Sequence, residues 1–196
     1  MRILVASVVG ALAVFMWGAI SWAALDLWGD AAAKLADDAE SKMVAALDAV
    51  LDEPGVYFAP SMPEPAEGAT AEEEAAAYEA WAATHREGPI AMVVYHEDGF
   101  EPMAPSIMGT GVAMDFVAAL LVSAAMVAVG GGYGRRFAVG LAMAVFAAVT
   151  GHGMYWNWFQ FPDGWSSAMA ADQIIGWTLA SMFMAAIVRP RMPAGA

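Results

Sequence analysis

The chain of 196 residues contains no cysteine. Thiolate nucleophiles, iron–sulfur clusters and thiolate-bound zinc are therefore outside its chemistry, and no disulfide can staple any part of it. Positive charge is nearly as scarce: eight Lys and Arg stand against 21 Asp and Glu, a formal net charge of −13. Phosphate contacts need clustered cations, so no nucleic-acid partner is expected. Three histidines are present, and His85 and His96 beside Glu87, Glu97 and Asp98 show no regular ligand spacing, so they read as surface residues and no metal is expected. The run Glu72-Glu73-Glu74 lacks the alternating acids and central glycine of a calcium loop. The run Gly130-Gly131-Gly132-Tyr133-Gly134 lacks the Lys-Ser/Thr ending of a phosphate loop and reads as a flexible hairpin.

What the chain has in excess is apolar sequence: 60% of its residues are hydrophobic, and mean hydropathy is +0.55. Four runs carry the excess, at 3–25, 111–132, 137–159 and 168–188. Each is long enough to cross a hydrocarbon core of roughly 30 Å as a helix of about 20 residues. Helix is the expected form, because backbone in lipid must satisfy its own hydrogen bonds. The first run has a two-residue charged start and an apolar core longer than the roughly 7–15 residues of a signal peptide, so it reads as an uncleaved anchor. Small residues at Ser21 to Ala24 leave cleavage open.

Arg2, Arg135, Arg136, Arg189 and Arg191 all sit at ends of these runs. Cytoplasmic ends of spans collect Arg and Lys. One topology puts every one of them inside: both termini cytoplasmic, with 26–110 and 160–167 on the outer side of a bacterial inner membrane. The outer segment 26–110 holds 18 acidic and three basic residues, net −15. Within it, 31–51 reads as helix, Val56-Tyr57-Phe58 and Ile90 to Tyr95 as strands, and Ser61 to Thr70 as irregular loop. Thr70 with Glu73 fits a capping box opening a helix to about His85. The expected fold is thus a membrane all-α protein: a four-helix transmembrane bundle with a small α+β extracytoplasmic cap between spans 1 and 2.

Polar residues inside spans are costly and mark candidate sites. Asp115, His152, Asp172 and Gln173 all fall near outer ends of spans, at similar depth. Six aromatics follow His152 within thirteen residues, and His152, Tyr155, Trp156 and Phe159 share one face if the helix is regular. One reading is an interfacial aromatic belt, which Trp17 and Trp22 would join. The other is a shallow outer pocket of Asp115, His152, Tyr155, Trp156, Asn157, Asp172 and Gln173, suited to a lipid headgroup, a quinone-like ring or a cation. A lone His in the spans is without the facing partner that b-type haem requires, so no cofactor is expected. The middle and inner halves of the spans offer only serines and glycines, and no internal repeat is seen, which argues against a transporter acting alone. Gly140, Ala144, Ala147, Ala148 and Gly151 give the third span a small-residue face for close packing.

Phe15-Met16-Trp17-Gly18, Glu53-Pro54-Gly55-Val56-Tyr57-Phe58, Gly88-Pro89 with Tyr95-His96, and Tyr155-Trp156-Asn157-Trp158-Phe159-Gln160-Phe161-Pro162 together resemble a group of bacterial four-span inner-membrane proteins with no assigned activity. The resemblance implies the same topology and carries over no ligand or catalytic residue. The function expected is non-enzymatic: binding, as an accessory subunit of a larger membrane complex or a lipid- or partner-binding module, with membrane lipid and a protein partner or second copy as partners. The alternative is a membrane enzyme acting on a lipid or quinone at the outer leaflet, with His152 as acid/base and Asp115 or Asp172 orienting it.

Overall fold

A computed structural model describes residues 1–188. Arg189 and Arg191, assigned above to the cytoplasmic side, lie outside the described residues. The chain is mostly helical, with one small two-stranded sheet. It divides into two compact units, one of residues 1–34 and 101 onward, the other of Leu35–Phe100.

The first unit contains α1 (Arg2–Ala23), the short α2 (Leu27–Ala31), α5 (Pro105–Val129), α6 (Tyr133–Ala148), a π-helical turn (Val149–Gly153), α7 (Met154–Trp158) and α8 (Asp163–Ile187). Taking Tyr133–Trp158 as one span, four helices among the described residues are long and apolar enough to cross a membrane. α1 packs on α5 and α8, and α6 packs on α8 and α5. The packed faces are small: Ala6, Ser7, Gly10 and Ala11 on α1, Gly140, Ala144 and Ala148 on α6, and Gly176, Ala180, Ser181 and Ala185 on α8. Met126 and Met184 fill the space between them and are wholly buried. Small side chains let backbones approach, which is how helices associate where no hydrophobic drive separates protein from lipid.

The opposite faces carry the bulk. Leu4, Val8, Leu12, Met16 and Ile20 recur every four residues on α1 and stand 45–57% exposed. Large apolar residues outside and small ones inside reverse the soluble pattern and support a multi-pass membrane protein. Arg136 departs from its sequence-based role as a simple cytoplasmic charge. It is buried, its Nε–H donates to Ala185 O at 3.0 Å, and its Nη1–H donates to Gly131 O. One guanidinium therefore ties the α5–α6 hairpin to the open carbonyl end of α8.

The second unit holds α3 (Ala39–Asp48), β1 (Gly55–Ala59), α4 (Ala71–Glu87) and β2 (Ala91–Tyr95). The strands pair antiparallel, Val56 opposite Val94 and Phe58 opposite Met92. The helix expected over 31–51 is instead the shorter α3: α2 ends at Ala31, and residues 33–38 are outside any helix. Asp38 sits at the α3 N-cap and pairs with Lys42 one turn on; Asp prefers helix starts to helix interiors, so it opens a new helix. The capping box forms: Glu73 N–H donates to Thr70 Oγ1 at 3.3 Å, and Thr70 N–H to Glu73 Oε2 at 2.8 Å. These donors, the Thr70 backbone first and its side chain second, hold the Glu73 carboxyl below its ordinary pKa. Tyr95 Oη donates to Asp48 Oδ1 at 3.1 Å; partial burial first, then this bond, push the phenol above its ordinary value. No residue of this unit is buried.

Candidate functional site

The site is built from the ends of α1, α2 and α8 and the π-helical turn. On α1, the Trp17 indole N–H donates to Asp172 Oδ1 at 2.7 Å and to Asp172 O at 3.1 Å, across 155 residues of sequence. Gly176, one turn further along α8, leaves room for the ring: a Cβ there would lie 2.7 Å from Trp17 Cδ1. Between α1 and α2 the chain turns back through Asp26, at φ +46°. This left-handed residue folds α2 onto α1 and α8. Trp28 is thereby brought within 4.8 Å of the Trp22 ring, and it meets Trp165 edge-on at 5.3 Å.

A cavity of about 230 Å³ opens among these groups, walled by Trp17, Trp28, Trp177, His152, Asp172 and Gln173, with Gly18 and Gly176 also lining it. His152 arrives from the π-helical turn, between Gly151 and Gly153. A π-turn inserts an extra residue into the helix, a feature common at functional sites. Here it breaks the regular face expected for His152, Tyr155, Trp156 and Phe159. His152 and Trp156 still line a second, largely apolar cavity of about 400 Å³ with Asp163 and Ser166. Tyr155 turns to Phe159 and Phe161, at 5.4 and 5.3 Å between rings.

The seven residues picked out by sequence thus separate. His152, Asp172 and Gln173 share the smaller cavity. Trp156 joins His152 in the larger one and donates its Nε1–H to Asp163 Oδ1 at 2.7 Å. Asn157 lies further out, with Gln160, Phe161 and Pro162, and its carbonyl accepts from Gln160 Nε2 at 2.7 Å. Asp115, half-buried on α5, lines neither cavity and has no hydrogen-bond partner among the described residues. Trp17, Trp28 and Trp177 were not singled out as site residues. The available signal was the number of tryptophans at span ends, which also fits an interfacial belt.

Two residues that line the cavity carry buried polar atoms, Trp28 Nε1 and Gln173 Oε1, without a hydrogen-bond partner among the described residues. His152 likewise makes no hydrogen bond to either aspartate among the described residues. No group of three or more His, Asp or Glu that could hold a metal ion occurs among the described residues. No family model matches the chain, and neither a curated protein nor a solved structure does, so the resemblance noted from sequence places it in no family.

Proposed function

We propose that this is an integral inner-membrane protein that works by binding, through the tryptophan-walled cavity at the outer ends of its spans. In this reading both termini are cytoplasmic, the four long helices form a transmembrane bundle, and the acidic unit projects as an extracytoplasmic cap. Its role is that of an accessory subunit or lipid-binding module. The observation that carries the reading is the Trp17–Asp172 hydrogen bond, which fixes a carboxylate and an indole in the wall of a cavity that His152 and Gln173 complete. A preorganised wall of this kind favours binding. The alternative, an acid/base enzyme at the outer leaflet, needs a carboxylate orienting His152, and Asp172 is instead engaged by Trp17.

Extraction from native membrane in a mild detergent, followed by mass spectrometry of everything retained, tests the proposal. One lipid or one protein retained in stoichiometric amount by the wild type, and depleted by His152→Phe, is expected. Nothing retained in stoichiometric amount, or retention unchanged by the substitution, would contradict it.

A further inference from the structure

We propose that the cavity of about 230 Å³ takes the ammonium end of a zwitterionic phospholipid headgroup. This rests on the binding reading above and names its ligand class. Three indoles, Trp17, Trp28 and Trp177, wall the cavity together with the Asp172 carboxylate, and no Lys or Arg among the described residues lines it. An aromatic face carries the negative side of its quadrupole, and indole is the strongest of the side chains that bind quaternary ammonium this way. A carboxylate among indoles adds a full opposite charge in a partly desolvated place. The walls are held in advance: Trp17 by its bonds to Asp172 and the bare backbone at Gly176, Trp28 by Trp22 and Trp165.

The unpartnered atoms refine the choice. Among the described residues, Gln173 Oε1 is an acceptor without a donor, and Trp28 Nε1–H is a donor without an acceptor. A free ammonium compound sets a positive charge against the first and offers the second no acceptor. A headgroup carrying both ammonium and phosphate suits both, its positive end set against the Gln173 and Asp172 oxygens and a phosphate oxygen accepting from Trp28 Nε1–H. The largely apolar cavity of about 400 Å³ beyond His152 offers adjoining space for the acyl chains.

The test uses the full chain in a non-ionic detergent, with phosphatidylethanolamine, phosphatidylcholine and phosphatidylglycerol of identical acyl chains added singly and retention read by native mass spectrometry. An ammonium lipid should be retained about tenfold better than phosphatidylglycerol, the size of one partly desolvated cation–π contact. Asp172→Asn keeps an oxygen acceptor for Trp17 and should erase most of that preference; Gln173→Leu serves the same purpose if the first variant fails to fold. Trp28→Phe keeps a ring and should weaken lipid retention while sparing binding of tetramethylammonium, the free-cation probe. Tetramethylammonium competing as well as the lipid itself would overturn the lipid as the source of the ammonium group. Phosphatidylglycerol retained equally, yet lost in His152→Phe, would overturn the ammonium assignment and leave the binding reading standing. Retention of none of the three lipids also overturns the ammonium assignment, and co-purification from native membrane then judges the binding reading separately.

Discussion

Replacing Gly176 by Ala probes the joint on which the cavity depends. The added Cβ would lie 2.7 Å from Trp17 Cδ1, whereas carbon atoms pack at about 3.5–4.0 Å. The indole must therefore retreat by roughly 1 Å, and its 2.7 Å bond to Asp172 Oδ1 lengthens past hydrogen-bond range. Overpacking of this sort costs about 1–3 kcal/mol, and a hydrogen bond to a charged group contributes about 1.5–3 kcal/mol. The two overlap, since a ring that swings away loses the bond and relieves the clash together. Gly18→Ala is the matched control: it lines the same cavity, and a Cβ there meets nothing within 4 Å. Both substitutions gain helix propensity of up to about 1 kcal/mol, which cancels between them. Gly176→Ala should come out about 2 kcal/mol less stable than Gly18→Ala. For a chain of this size that is a melting temperature lower by about 4–8 °C, compared at one heating rate because detergent unfolding is commonly irreversible. Equal melting of the two variants would refute the placement of Trp17 against α8.

Arg136→Lys should destabilise by about 2 kcal/mol, because a single ammonium cannot reach both carbonyls that the guanidinium bridges, while Arg135→Lys should stay within about 0.5 kcal/mol; detergent melting distinguishes them. Glu73 has a folded pKa below its ordinary 4.5, so its contribution to α4 is fully present above that value and lost as pH falls through the folded pKa. Carboxyl titration by NMR should find Glu73 below its ordinary value, and Thr70→Ala should remove the depression. Residues 35–100, excised, should melt without a sharp transition, since none of them is buried; a cooperative melt above that of the whole protein would show otherwise.

The apolar runs carried most of the helical architecture, because about 20 uncharged residues leave the backbone few alternatives to helix. α5 stops at Gly130, its C-cap, inside the run expected to 132, and α5 and α8 each begin five or six residues earlier than hydropathy indicated. Pro105 and Asp163 at their first positions are helix-start signals that hydropathy ignores. The capping box and both strands were also legible, being local. The candidate site was legible only in part. His152, Asp172 and Gln173 declared themselves as polar groups in apolar surroundings. The bond between Trp17 and Asp172 spans 155 residues and has no local signature. The π-turn at Val149–Gly153 shifts the register by one residue, which periodicity cannot show. Trp28 enters the site because Asp26 adopts a left-handed backbone, a choice unmarked by any glycine. Arg136 is a clamp and not a free charge because the α8 carbonyl end lies beside it, a fact of packing alone.

The proposed binding site requires the cavity to face the outer side of the membrane. The absence of cysteine makes that directly measurable. Single cysteines placed at Gly99, Gly132 and Gly164 are exposed to a membrane-impermeant thiol reagent on intact spheroplasts. Labelling is expected at 99 and 164, and none at 132 until the membrane is permeabilised. Labelling at 132 with protection of 99 and 164 would invert the topology and contradict an outward-facing binding site.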